Sequence, residues 1–135
     1  MTGASRLAKA LQALAEGLPN PADESTDYFK GFHAPLARAI KLTPSSVKQA
    51  LAIGPRYEVD LGSADDLFAN AEDAANWGDE LAHGFQQLHA VMKATLGEVS
   101  VAHARGAGVV RVRMWVFGRT DDGTLVGLRS TSTET

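Results

Sequence analysis

The sequence predicts an α+β domain in which helices lie on both sides of a mostly antiparallel sheet. Two stretches have the apolar spacing of amphipathic helices, one near the beginning of the chain and one from Asp79 to Leu96. The last third of the chain contains a hairpin with two partly apolar faces. Because such a strand needs cover on both sides, the hairpin favours an α-β-α sandwich. The 135 residues have the usual size of one domain, so we expect a single domain over 1–135.

Four leucines on one helical face predict the first helix. They are separated by four, three and four residues: Leu7, Leu11, Leu14 and Leu18. Ser5 is a candidate N-cap, and Gly17 can adopt the left-handed conformation that ends many helices. Pro19 and Pro21 prevent the helix from continuing. The loop that follows displays three carboxylates: Asp23, Glu24 and Asp27.

Between this loop and the hairpin, the sequence predicts short strands and further helices. Three segments are rich in β-favouring residues or alternate apolar with polar ones, and we predict strands there: residues 28–32, 56–61 and 98–104. Thr43 followed by Pro44 is typical of a helix start, and Ser63 is expected to cap a short helix that carries Leu67. The long helix is expected to end at Gly97.

The hairpin runs from Val109 to Arg129. In its first strand, four alternating residues form an apolar face: Val110, Val112, Met114 and Val116. Two arginines and two aromatic residues form the other face: Arg111, Arg113, Trp115 and Phe117. If the loop between the two strands were longer or shorter by one residue, Val126 and Leu128 would both lie on the opposite face of the sheet. The sequence alone therefore leaves the register of the second strand open.

Motifs of catalysis and metal binding are missing from the sequence. The chain has no cysteine, which excludes disulfides and thiolate zinc sites. It has no Gly-x-Ser-x-Gly elbow and no P-loop, and nothing assembles a nucleophile, a base and an oxyanion site. Glu80 and His83 have the spacing of a carboxylate–histidine metal site, but no second copy completes it. We therefore predict a binding protein with no catalytic residues, no metal site and no intrinsic cofactor.

Charge and hydropathy indicate which partners and which cellular compartment the protein is expected to have. The net charge of −3 argues against nucleic acid as a direct partner, since nucleic acid usually requires a basic surface. No apolar run is long enough to span a bilayer, and residues 1–17 lack the continuous apolar core of a secretory signal. The absence of cysteine is compatible with a reducing compartment. We expect a cytoplasmic protein with no membrane partner.

The basic face of the hairpin supports a competing hypothesis. On this hypothesis, Arg111, Arg113, Trp115 and Phe117 clamp and stack single-stranded nucleic acid. In the other interpretation, the two aromatic side chains pack beneath helices and the arginines pair with an acidic surface. The negative net charge favours the second interpretation. A face that is open to solvent at Trp115 and Phe117 would favour the first.

A colinear set of residues resembles the nuclease A inhibitor family. The matching residues are Trp77 before the long helix, Phe85-Gln86-x-Leu88 within it, Gly118 and Thr120, Gly123-x-Leu125-x-Gly127, and the final Glu134-Thr135. The first half of the chain matches less closely, through Gly17-Leu18 and Glu24-Ser25. The family consists of small cytoplasmic proteins that block sugar-non-specific nucleases. The resemblance therefore implies an α-β-α sandwich and a metal-dependent, non-specific nuclease as the protein partner.

The resemblance also implies which residues bind that partner. In the family, the carboxylate of a C-terminal threonine is thought to occupy the nuclease active site. A glutamate in the loop after the first helix and the segment around the tryptophan assist it. Matched residue by residue, these are Thr135, Glu24 and Trp77, with Glu134 and Asn76 as neighbours.

Two departures from the family leave alternatives open. The loop contains Pro19 and Pro21, so Asp23 can replace Glu24 as the acidic contact. The chain is also less acidic after Trp77 than family members tend to be. A homologue that has kept the fold and lost inhibition is therefore a second alternative.

Overall fold

The computed structural model describes residues 3–19, 28–73, 77–106, 108 and 111–133. The helices of this part are α1 (Gly3–Ala15), α2 (Pro44–Ala50), α3 (Asp65–Ala71) and α4 (Asp79–Leu96). The strands are β1 (Lys30–Ala34), β2 (Glu58–Ser63), β3 (Ser100–Arg105), β4 (Arg111–Arg119) and β5 (Leu125–Thr133).

The five strands form one antiparallel sheet in the order β1-β5-β4-β3-β2. The last four strands are paired in the order in which they occur in the sequence. β1 is added beside β5, so the chain crosses from one edge of the sheet to the other between β1 and β2, and α2 lies in that connection. α3 and α4 lie between β2 and β3. The predicted α+β class is confirmed.

Both faces of the sheet are covered, as the hairpin predicted. On one face, α1, α3 and α4 pack over four alternating residues of β4 and β5: Met114, Val116, Val126 and Leu128. On the other face, Val47 of α2 and Ile53 belong to a second apolar cluster with Trp115 and Phe117. These two aromatic residues are only 3% and 0% exposed. The sheet is therefore the middle layer between two apolar cores.

The structure determines the register that the sequence left open. Within the loop between β4 and β5, Thr120 N donates to Thr124 O at 2.9 Å, and Gly123 N donates to Thr120 O at 2.9 Å. Val116 consequently pairs with Leu128, and Gly118 pairs with Val126. Val126 and Leu128 therefore lie on the face that α1 and α4 cover.

The ends of α2 and α4 agree with their local sequence signals. Thr43 is the N-cap of α2. Its hydroxyl oxygen accepts from Ser46 N at 3.1 Å, and Ser46 Oγ accepts from Thr43 N at 2.9 Å. α4 has the predicted bounds, and Gly97 ends it with a φ of +74°. These signals act within one helical turn, so the helix ends can be predicted without knowledge of distant contacts.

Other boundaries differ from the predictions. α1 begins at Gly3, so Ser5 lies inside the helix and the predicted N-cap is wrong. The N-cap of α3 is Ala64, although Ser63 Oγ still accepts from Asp65 N at 3.2 Å. The strand predicted at 28–32 lies at 30–34, because its limits follow from pairing with β5 rather than from its aromatic residues.

Candidate partner-binding site

Trp77 is the predicted partner-binding residue that the structure describes. The remaining five lie outside the described residues: Asp23, Glu24, Asn76, Glu134 and Thr135. The described residues next to them establish where each of the three segments leaves the fold.

Trp77 is half-buried between α3 and α4. Its indole Nε1 donates to Asn70 Oδ1 at 3.2 Å. Its ring packs edge-to-face against Phe85, with centroids 6.0 Å apart and planes at 66°. A hydrogen bond on one side and an aromatic contact on the other hold the indole in one orientation, and part of its surface stays accessible.

A second aromatic contact joins α3 to α4. The imidazole of His89 stacks on Phe68, with centroids 4.0 Å apart and planes at 4°. His89 Nδ1 lies 2.7 Å from Glu72 Oε1, and Gln86 Nε2 donates to Glu72 O at 3.3 Å. This cluster has no signal in the sequence, because His89 and Phe68 belong to different helices and no local spacing relates them.

The loop that contains Asp23 and Glu24 is closed at its base. Pro19 and Tyr28, which flank it, form an antiparallel bridge. Just before it, Leu18 packs on Gly84 of α4, where an added Cβ would come within 2.8 Å of Leu18 Cδ2. Just after it, Phe29 is buried in the core. Both ends of the loop are therefore fixed to the body of the protein.

The strand that leads to Glu134 and Thr135 is held in the sheet almost to its end. Pairing between β5 and β1 extends to Arg129, opposite Lys30. Pairing between β5 and β4 continues to Thr133, opposite Arg111. The last described backbone of the chain is therefore part of a hydrogen-bonded ladder.

Contacts connect Trp77 with the base of the acidic loop. The end of α4 packs on Gly118, whereas Phe85, nearer the start of α4, packs against Trp77 and lines a small cavity with Phe29 and Leu128. Phe29 directly precedes β1, and the bridge between Pro19 and Tyr28 closes the base of the loop just before it. β1 begins at Lys30, opposite Arg129 of β5, and we call this part of the sheet the β1–β5 corner.

The aromatic face of the competing hypothesis is not available for stacking. Trp115 and Phe117 are buried, so no nucleic acid base can reach a free ring face at either residue. Arg113 is exposed and lies over Trp115, and the side chain of Arg111 lies outside the described part. The burial of both rings, which the second interpretation predicted, is confirmed, because they belong to the apolar cluster that contains Val47 of α2. Its other part is wrong for Arg113, which contacts Trp115 and forms no ion pair with any described residue.

The described residues contain no group of three or more His, Asp or Glu side chains arranged to hold a metal ion. Glu80 and His83, the pair with metal-site spacing, are both exposed on α4. No helix in this part of the chain combines the length and the apolar character needed to cross a membrane.

Comparison with known proteins identifies the family. No curated protein matches the chain. The family described as nuclease A inhibitor-like protein matches residues 5–135. The match includes the first half of the chain, where the resemblance of individual residues was weaker. Because it covers almost the whole length, the chain belongs to the nuclease A inhibitor-like protein family.

Proposed function

We propose that this protein inhibits a sugar-non-specific, metal-dependent endonuclease by inserting its C-terminal segment into the active site of that enzyme. Glu134 and the main-chain carboxylate of Thr135 supply the negative charge. Glu24, or Asp23 in its place, and Trp77 with its neighbour Asn76 form the surrounding contacts. The contact of Trp77 with Phe85, which lines a cavity with Phe29 at the base of the acidic loop, supports the proposal, because one partner surface can reach both of these segments.

The chemistry of the C-terminal segment suits the proposed target. A main-chain carboxyl group has a pKa of about 3.5 and is ionised at neutral pH. Carboxylate oxygens are hard ligands for a divalent metal, and they resemble the phosphate oxygens that a nuclease must bind. Pairing of β5 with β4 orders the backbone up to Thr133, two residues before this group in the sequence. Backbone that is ordered before binding loses little conformational entropy when the partner binds.

Trp77 supports the proposal as an apolar anchor. Tryptophan is enriched among the residues that contribute most to protein–protein affinity. Its orientation is already determined by Asn70 and Phe85, so binding need not order it. The acidic loop would act mainly through charge complementarity, which raises the association rate more than the affinity. This mechanism requires no catalytic step by the protein, and we expect it to act in the cytoplasm.

Shortening the chain tests the mechanism. A protein that ends at Thr133 is expected to lose inhibition by about a hundredfold or more, because the partner's metal and basic groups would lose their buried counter-charge. Its melting temperature should change little, since terminal polar residues contribute little to stability. Extension beyond Thr135 should also weaken inhibition, because the terminal carboxylate would become a neutral amide. The measurement is the inhibition constant against a metal-dependent, non-specific nuclease.

A matched pair of single substitutions controls for overall charge. Glu134→Gln removes one carboxylate from the proposed contact, and Glu98→Gln removes one from an exposed position beyond the far end of α4. We expect weaker inhibition from the first variant and unchanged inhibition from the second. A folded protein that ends at Thr133 and inhibits as strongly as the intact chain would refute the mechanism.

A further inference from the structure

A groove of about 500 Å³ lies at the β1–β5 corner, on the face of the sheet opposite to α1 and α4. We call it the basic groove. Its lining residues are Tyr28, Lys30, Arg113, Trp115, Arg129, Ser130 and Thr131. Its size is within the usual range for small-molecule sites, about 300–1,000 Å³. Among the described residues, its lining has three cationic side chains and no acidic one.

The sheet register brings the three cations together. Lys30 of β1 is directly opposite Arg129 of β5. Arg113 of β4 is opposite Thr131, so it is a diagonal neighbour of Arg129 across the same ladder. Like charges at directly opposed positions of a sheet are destabilising. Within the described part of the chain, none of the three forms an ion pair with a carboxylate, whereas Arg105 on β3 pairs with Asp60. An anionic ligand would relieve this repulsion.

Arg113 is oriented before any ligand binds. Its guanidinium carbon lies 4.9 Å from the centre of the Trp115 ring, in a cation–π contact. Because Trp115 is almost fully buried, it provides a fixed floor for the arginine. A planar guanidinium donates two parallel hydrogen bonds to a phosphate group, which distinguishes it from a simple point charge. The groove therefore suits a phosphate better than a carboxylate bound by charge alone.

Tyr28 adds an aromatic surface beside these cations. Its side chain is 58% exposed, which is unusual for a large ring, and it lines the groove together with Lys30. An exposed ring next to bound phosphate is the arrangement that stacks a nucleobase. The net charge of −3 disfavours a long nucleic acid, whose many phosphates would meet the acidic remainder of the protein.

We infer that the basic groove binds a single nucleotide, with its phosphate held by Lys30, Arg113 and Arg129 and its base stacked on Tyr28. The nucleotide is either free or the terminal unit of a short single strand. This site is additional to the proposed inhibitory contact, because it uses neither Trp77 nor the residues after Thr133. It also differs from the aromatic face considered from the sequence, since Trp115 supports Arg113 and does not stack a base.

Anisotropy titrations with fluorescein-labelled hexathymidylate at low salt test the site. Unlabelled thymidine 5′-monophosphate is expected to displace the probe at concentrations at which thymidine and inorganic phosphate do not. The double variant Arg113→Gln/Arg129→Gln should bind at least about tenfold more weakly. A matched double variant, Arg56→Gln/Lys93→Gln, removes two exposed cations outside the groove and should change affinity less than about twofold.

Tyr28→Ala tests the stacking contact separately. It should weaken thymidine 5′-monophosphate binding about tenfold and leave unchanged the displacement of the probe by inorganic phosphate at higher concentrations, where phosphate alone competes. Equal affinity for the mononucleotide and the hexamer would identify a free nucleotide as the ligand. Much tighter binding of the hexamer, lost in the groove variant, would identify a strand end.

Two results would overturn the inference. One is the absence of binding of either nucleotide at about millimolar concentration. The other is an equal loss of nucleotide affinity in the groove variant and in its matched control, which would indicate general charge attraction. The protein that ends at Thr133 separates this site from the proposed function. It should keep nucleotide binding and lose inhibition, so either proposal can fail while the other holds.

Discussion

The rings of Phe32 and Phe117 meet over the strand that separates them, with centroids 6.4 Å apart and planes at 73°. Phe32 is on β1 and Phe117 is on β4, and Gly127 of β5 pairs with both. Strands two apart in a sheet are separated by about 9–10 Å, so the rings must lean toward each other across β5. The missing side chain at Gly127 provides the space for this contact.

Gly127→Ala is therefore expected to lower the free energy of unfolding by about 3 kcal/mol or more. An added Cβ would lie 2.0 Å from Val116 O and 2.7 Å from Phe117 Cα, so the backbone would have to move. Urea denaturation measures the change. Gly62→Ala on β2 is the control, because Gly62 is exposed and has no atom within 4 Å of an added Cβ. Similar decreases in the free energy of unfolding of the two variants would show that close packing at Gly127 does not cause the loss.

Two serine substitutions should have opposite effects on stability. Ser46 Oγ accepts from Thr43 N at 2.9 Å and donates to Lys41 O at 2.7 Å, so Ser46→Ala should cost about 1–2 kcal/mol. Ser130 Oγ is buried without a hydrogen-bond partner in the described part of the chain. Ser130→Ala should therefore be neutral or stabilising by up to about 1 kcal/mol. Urea denaturation of both variants checks the difference in sign.

Asn70→Ala should weaken inhibition through Trp77. The substitution removes the acceptor that holds the indole Nε1 at 3.2 Å, and it should cost about 1 kcal/mol of stability. If Trp77 binds the nuclease, the inhibition constant should also rise several-fold, because the indole would have to be ordered on binding. Gln87→Ala, at an exposed position on α4, is the control. Unchanged inhibition by a folded Trp77→Ala protein would exclude Trp77 from the interface.

The loop between β4 and β5 should become less stable in acid. The Thr120 hydroxyl and the backbone N–H of Thr124 donate hydrogen bonds to Asp122, and they hold the pKa of its carboxyl below the ordinary value of 3.8. A carboxylate with a lowered folded-state pKa stabilises the protein above about pH 4, and this stabilisation is lost as the pH falls through the folded-state pKa.

Asp122→Asn should consequently lower the urea midpoint at about pH 6, and the difference from the unmodified protein should disappear at about pH 2. Thr120→Val, which removes the main cause of the lowered pKa, should reduce the same pH dependence. A difference between the asparagine variant and the unmodified protein that is constant across this range would show that the carboxylate charge does not matter.

Sequence signals that act within a few residues were sufficient to predict where several elements begin and end. The apolar spacing and Gly97 determine the bounds of α4, and Thr43 with Pro44 determines the start of α2. Each depends on hydrogen bonds or packing inside one or two helical turns, which the local sequence specifies. The two apolar faces of the hairpin likewise predicted the sandwich, because apolar side chains on both faces of a strand must be buried.

The pairing partners of the strands could be determined only from the tertiary structure. The limits of β1 and the orientation of Val126 and Leu128 follow from pairing across the sheet, and pairing depends on contacts between distant segments. Trp77 was predicted from the family resemblance, but its contact with Asn70 joins two helices and has no local signal.

The basic groove shows the same division between sequence and tertiary structure. Lys30, Arg113 and Arg129 are far apart along the chain, and in the sequence each is an ordinary strand cation. They become neighbours because β1 is added beside β5 and β5 pairs with β4 in a particular register. The sequence by itself determined which segments are amphipathic and where several helices begin and end. Only long-range pairing decided which side chains share a surface, because a strand's own residues do not specify its neighbour.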